Sequence, residues 1–299
     1  MDTQTPEWTA TLVRLFALAS RLEEEGHYNV AKLARAAADS MGRGAAYAAV
    51  RAAGEQDTVQ EIRNLAGSLR QLDVSEGLAA ALQRGATALA KGRIPSIGET
   101  PHPYVCRTCG HLVLGPVDDH CPTCGAWPGT FQWFAPNWWF DALEPFAAIA
   151  QLRQTPLEVA ALIGGLSEQA MAHDAQEGGW AIRNVLTHLR DAQGVLDFRL
   201  GLFESEEHPV LASKAVWTWA TREEERPPTT QEIFEDYRTT RRDILTRLEA
   251  LPLANWWRTG LHEEFGEVSL RQQVSYFASH ELTHLSQVAG LRAQAVRSR

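Results

Sequence analysis

The stretch that decides the fold runs from Ser269 to Val296, SLRQQVSYFASHELTHLSQVAGLRAQAV. Ser269 with Gln272 is a helix-opening pair, and no proline follows, so the spacing predicts one long helix to about residue 296. Val274, Phe277, His284, Val288 and Leu291 recur at helical spacing and predict an inward apolar stripe, with His280 at its edge. His280 and His284 are four residues apart, so both imidazoles lie on one face, in reach of a single ion. Taken alone, such a pair is more often explained by hydrogen-bonded or surface histidines.

The segments upstream change that weighting. Trp180 to about Leu202 reads as a second long helix, in which His188 follows Trp180, Ile182, Val185 and Leu186 beside the inward stripe. A third core-side histidine then joins the pair from a different helix. Asp191, one turn from His188, either orients an imidazole through its second nitrogen or is a surface charge. Pro227 and Pro228 precede a capping box, Thr229 to Glu232, opening a helix to about Leu251. Thr155-Pro156-Leu157-Glu158 reads as another capping box, with proline at the first helical position. From Pro145 onward the chain therefore predicts four helices with long connections. His262 reads as a loop residue near the site, while Trp138-Trp139 and Trp256-Trp257 read as core anchors and Trp180 as packing at its helix start.

All four cysteines fall between residues 106 and 124. Cys106-x-x-Cys109 and Cys121-x-x-Cys124 are two turns that each aim two thiolates at one ion, giving a tetrahedral sulfur site suited to iron or zinc. Gly110 and Gly125 follow the pairs, where a positive φ closes each turn. A disulfide framework would spread its cysteines along the chain. Residues 92 to 136, rich in Gly, Pro and aromatics and without a helical period, predict a small module in which a metal replaces much of the core.

The first hundred residues again read as helices. Leu12, Leu15, Phe16 and Ala19 give one stripe, Val30, Leu33, Ala37 and Met41 a second, and residues 57 to 91 two weaker ones, with Gly54 and Gly92 as punctuation. Net charge is −9 with scattered basic residues, so no nucleic-acid partner is expected. No apolar run approaches eighteen residues and MDTQTPEW carries no basic leader, so a cytoplasmic protein without a membrane span is expected.

Two family resemblances rest on these residues. Tyr104-Val-Cys-Arg-Thr-Cys-Gly, continuing to Cys121-Pro-Thr-Cys-Gly-Ala and Phe131, resembles the rubredoxin-like module of rubrerythrins, whose iron transfers single electrons; the spacing alone also fits structural zinc. Residues 25 to 45 resemble the second helix of the di-iron bundle of that family. Its Glu-x-x-His ligands, however, fall on Met41 and Gly44, its first-helix glutamate falls near Trp8, and Glu24-x-x-His27 stands elsewhere. The resemblance thus implies a degenerate ferritin-like helical bundle that serves as scaffold or dimer contact. Leu166-Ser167-Glu168, the run from Gly178 to Ala192, Phe265-Gly-Glu-Val-Ser-Leu270 and His280-Glu-Leu-Thr-His284-Leu-Ser-Gln-Val288 resemble the DinB/YfiT-like metalloenzymes. Those are four-helix bundles, and the resemblance implies metal ligands at His188, His280 and His284.

The expected protein is mainly α, with a degenerate ferritin-like bundle (1–100), a rubredoxin-like module (101–136) carrying iron or zinc on Cys106, Cys109, Cys121 and Cys124, and a DinB-like bundle (137–299). Three neutral imidazoles leave the charge of a divalent ion such as zinc, nickel, iron or manganese uncompensated. Such a centre lowers the pKa of a water or thiol. The resemblance implies transfer of a low-molecular-weight thiol, or hydrolysis, on a small-molecule substrate, in a stress-related homodimer. Two alternatives stay open: an oxidoreductase of oxidative stress in which the rubredoxin-like site passes electrons to the histidine site, and a non-enzymatic, metal-stabilised stress protein. No catalytic general base is evident; Glu281 adjoins His280 but points about 100° away.

Overall fold

A computed structural model describes residues 5–52, 57–173, 179–212 and 228–297. Gly54, Gly178 and Pro227 lie outside the described residues. The chain divides into two units, Met1–Arg93 with Pro103–Trp133, and Ile94–His102 with Phe134–Arg299. No described helix is long and apolar enough to cross a membrane.

In the first unit, α1 (Thr5–Glu24) pairs with α2 (Tyr28–Ala52), and α3 (Thr58–Gln71) with α4 (Glu76–Leu89). Asp57 caps α3 by accepting from the N–H groups of Val59 and Gln60, and Ser75 caps α4. The stripe on α2 differs from the one predicted. Ala31, Ala34 and Ala38 are buried, whereas Val30 and Leu33 are exposed. Both sets have helical spacing, and the alanines win because they let α2 approach α1 closely. On α1, Ala19 is buried and Phe16 exposed. Trp8, Glu24, His27 and Gly44 are also exposed, and Met41 is partly buried. The remaining chain forms a three-stranded antiparallel sheet, β2-β1-β3, from β1 (Pro103–Cys106), β2 (Leu112–Leu114) and β3 (Phe131–Trp133).

The second unit is a ring of four helices. In contact order these are α5 (Pro145–Ile163), α9 (Leu270–Arg297), α7 (Ile182–Ser205) and α8 (Thr230–Ala250). Val159, Leu186, Leu189, Ile233, Tyr237 and Val288 close the core between them. Thr229 and Glu232 form the expected capping box of α8, and Ser269 with Gln272 the one opening α9. The predicted box at Thr155–Glu158 is not there. Helix α5 begins at Pro145 and carries Pro156 in its interior, while Thr155 Oγ1 donates to the Gln151 carbonyl. Proline has no N–H for the carbonyl four residues back, which is that of Leu152. Arg241 on α8 takes it instead, its Nη1 donating at 2.5 Å.

The short helix α6 (Glu168–Ala172) explains the Leu-Ser-Glu motif. The Glu168 carboxylate accepts from the N–H of Thr230 at 3.0 Å and from its hydroxyl at 2.7 Å, satisfying the start of α8. A second sheet, β4 (Val210–Leu211), β5 (Thr259–His262) and β6 (Gly266–Ser269), leads straight into α9. Strand β5 runs so close to Pro209 that a Cβ on Gly260 would lie 2.7 Å from its carbonyl oxygen.

Candidate functional site

His188 on α7 and His280 and His284 on α9 meet at the inner face of the ring. His280 Nε2 lies 3.2 Å from His188 Nε2 and 3.0 Å from His284 Nε2. Three imidazole nitrogens about 2.1 Å from a shared ion would show such edges at N–metal–N angles of roughly 90–100°. The tautomers agree with this. His284 Nδ1 faces Gln287 Oε1 at 3.0 Å, and an amide oxygen only accepts, so Nδ1 holds the proton and Nε2 presents its lone pair. Burial, then the charge of His284, lowers His188 to about 4; burial, then His284 and His188, lowers His280 to about 3. Both rings are neutral near pH 7. His280 Nδ1 is buried without a hydrogen-bond partner among the described residues.

Burial on α9 departs from the predicted stripe. His280 is buried and His284 only partly so, because the inward face runs through Glu281, Leu285 and Val288. A glutamate is tolerated there because Arg241 neutralises it. Asp191 accepts from Arg190 Nε at 3.0 Å. Aromatic rings frame the cluster: Trp139 meets His280 edge-on at 4.8 Å, and Trp180, just ahead of α7, lies 5.4 Å from His188. Trp256 is buried as an anchor, while Trp257 and Trp138 are exposed.

A cavity of about 140 Å³ opens beside the cluster, lined by His188 and His280 and also by Arg199, His262, Glu264 and Tyr276. Sequence reasoning passed over Arg199, Glu264 and Tyr276 entirely. His262 is not a loop residue; it ends β5 and is 2% exposed. Arg199 is 6% exposed, and burial lowers its guanidinium to about 10. Burial, opposed by the charge of Arg199, raises the Glu264 carboxyl. Burial also raises the Tyr276 hydroxyl.

The cysteines form a separate cluster in the first unit. Cys106 Sγ lies 3.7 Å from Cys124 Sγ, and Cys109 Sγ 3.6 Å from Cys121 Sγ. A tetrahedron of sulfurs about 2.3 Å from a shared ion has edges of about 3.75 Å. Gly110 and Gly125 turn at φ 81° and 73°, each N–H returning to the carbonyl of Cys106 or Cys121. Burial raises the Cys106 thiol, but the N–H groups of Cys109 and Thr108 together with the Cys124 and Cys109 thiols more than offset it and leave it below the ordinary thiol range. Cys106 and Cys121 are buried, Cys109 and Cys124 exposed. Of the outlying histidines, His102 Nε2 donates to the Phe265 carbonyl at 2.9 Å and His208 meets the Glu267 carboxylate at 2.9 Å.

Fold and site together define a helical-bundle protein with an inward-facing histidine cluster. Residues 151–288 match the family model of the DinB superfamily. A Geobacillus kaustophilus protein named "Putative metal-dependent hydrolase" is 30% identical over 167 residues, covering 55% of this chain and 91% of the relative. One of the same name from Oceanobacillus iheyensis is 25% identical, covering 52% and 84%. The chain belongs to the DinB superfamily. Among solved structures, YfiT from Bacillus subtilis is similar at 16% identity and a TM-score of 0.45, covering 53% of this chain and 91% of that one.

Proposed function

We propose that this protein is a metal-dependent hydrolase of small molecules in which His188, His280 and His284 hold a divalent ion, while Cys106, Cys109, Cys121 and Cys124 hold a second, structural or redox ion in a rubredoxin-like module. The observation that carries the reading is the convergence of three Nε2 atoms, 3.0 and 3.2 Å apart, with a cavity opening on two of the three residues, His188 and His280. The name shared by the relatives agrees with it. A divalent ion there supplies Lewis acidity toward a water or thiol.

The chain's own residues do the rest. Gln287 fixes the His284 ring, and the aromatic rings of Trp139 and Tyr276 pack on His280 and hold it in place. Glu264 is the one carboxylate lining the cavity among the described residues, and its raised pKa suits it to accept and return a proton. The N-terminal helices act as scaffold.

The test is a screen of ester and amide substrates, alongside small thiols offered electrophilic acceptors, with wild type and His280→Ala compared. Hydrolysis that needs the ion and disappears in a folded His280→Ala variant is the expected result. Thiol transfer without hydrolysis would replace the hydrolase reading with the transferase one. Undiminished activity in metal-free protein would end both.

A further inference from the structure

The part of the cavity lined by Arg199 and His262 holds donors that its acceptors do not fully satisfy. Arg199 is 94% buried by its 6% exposure, and all three of its hydrogen-bond partners are neutral: Nη1 donates to Gln273 Oε1 at 2.8 Å, and Nη2 to the Ala212 carbonyl at 3.2 Å and toward His262 Nε2 at 3.0 Å. Its Nε is buried with no partner among the described residues. The last of those contacts is not a good one. The N–H groups of Glu264 and Phe265 point at His262 Nδ1, at 3.2 and 3.3 Å, so Nδ1 accepts and the proton of the neutral ring sits on Nε2. Arg199 Nη2 and His262 Nε2 are then two donors facing each other. Nε and Nη2 share one edge of the guanidinium, the edge that grips a carboxylate through two parallel hydrogen bonds.

A buried cation without a bonded anion, an orphaned Nε–H and an opposed donor pair are all resolved by one acceptor group carrying negative charge. We propose that this end of the cavity is a carboxylate subsite, in which Arg199 and His262 hold the acid group of a small organic acid whose other end lies toward His188 and His280. A carboxylate fits better than a phosphate because a single planar fork matches two oxygens and one charge, and because Glu264 on the same wall repels a dianion. Ala192, Val195 and Phe277 line the stretch between the two ends, so the connecting part of the ligand is apolar. Arg199 and His188 are eleven residues apart on α7, about 16 Å along its axis, a gap the long arginine side chain shortens.

The inference names a substrate class for the proposed hydrolase cavity and rests on that reading, so its test measures binding. Full-length protein with its metal is titrated calorimetrically with hexanoate, its uncharged isostere hexanamide, and inorganic phosphate. Hexanoate should bind at least tenfold tighter than hexanamide and tighter than phosphate, and Arg199→Gln should bring hexanoate and hexanamide within about twofold. The preference should survive removal of the metal. Equal binding of the two isosteres, a preference that persists in Arg199→Gln, or one that vanishes with the metal would overturn the subsite; phosphate binding tighter than hexanoate would overturn the choice of carboxylate. Should Arg199→Gln fail to fold, Glu264→Gln decides: removal of the neighbouring negative charge should tighten hexanoate severalfold, and unchanged or weaker binding counts against the proposal. Selective hexanoate binding without any hydrolysis sinks the hydrolase reading alone, whereas hydrolysis confined to uncharged substrates sinks the subsite alone.

Discussion

Arg241 and Glu281 face each other across the centre of the bundle, the guanidinium bonded to both carboxylate oxygens, with Nη1 to Oε2 at 3.1 Å and side chains 1% and 4% exposed. Arg241 also reaches Gln193 on α7 and the Leu152 carbonyl on α5, so one residue of α8 ties all four helices together. Glu281 is the neighbour of His280, and the pair therefore sets the rotation of the helix that carries two histidines of the cluster.

Removing one member of that pair should be costly. Glu281→Ala leaves a fully buried guanidinium without its counter-charge, and denaturant unfolding should show a loss of about 3–5 kcal/mol. The joint change Arg241→Met with Glu281→Leu should recover most of it. A loss below about 1 kcal/mol for Glu281→Ala would mean that the pair is not a buried ion pair in solution.

Pro156 should be nearly neutral to replacement. A proline inside a helix ordinarily costs about 3 kcal/mol, so Pro156→Ala would be expected to stabilise strongly. Here the Leu152 carbonyl already has Arg241, and a new N–H would compete with it. Thermal unfolding of Pro156→Ala should lie within about 1 kcal/mol of wild type. A gain near 3 kcal/mol would show that Arg241 does not occupy the vacated carbonyl.

Two separate clusters imply two separable ions. Metal analysis of purified protein should give about two ions per chain. Joint replacement of Cys106→Ser and Cys109→Ser should remove one, and His284→Ala the other. Loss of both from either change would refute the independence of the sites. The identity of each metal decides between the remaining readings, since zinc in both clusters excludes electron transfer and iron in both favours it.

Acid should destabilise the metal-free protein. His262 and His280 are 2% and 8% exposed, and burial first, then neighbouring positive charge, lowers each to about 3. Their unfolded values are near 6.5, so the unfolded chain binds more protons at intermediate pH. Their contribution is fully present above about 6.5 and is lost as pH falls toward 3. The loss is roughly 2 kcal/mol for each histidine at pH 5. Urea unfolding of chelator-treated protein between pH 7.5 and 5.0 measures this, and a flat profile would show that neither ring is buried neutral.

What could be read from the sequence was local or periodic. Two C-x-x-C turns fix their own geometry, and H-x-x-x-H fixes a helix face, so local spacing alone brings together the four cysteines and His280 with His284, whereas His188 enters through the stripe of its own helix and the family resemblance. Arg199 could not, because its burial is created by α7, the β5–β6 hairpin and α9 together, and nothing in the adjacent letters marks it. Glu281 was read as pointing away from His280, which it does, but its partner lies 40 residues away on α8. Thr155–Glu158 misled because the letters of a capping box are the same inside a helix as at its start. Only a distant arginine makes the interior position tolerable. On α2 two stripes of equal period competed, and size pointed to the wrong one.

The β5–β6 hairpin supplies His262, Glu264 and Phe265 to the cavity, whereas every histidine of the cluster sits on a long helix. The histidine cluster thus rests on the bundle alone, while the cavity wall is shared between the helices and a short hairpin. Helices α7 and α9 cannot change register without dismantling the bundle, but the turn at 263–265 joins two short strands and accepts new letters at small cost. A change in that turn would reshape one wall of the cavity while leaving the positions of His188, His280 and His284 untouched.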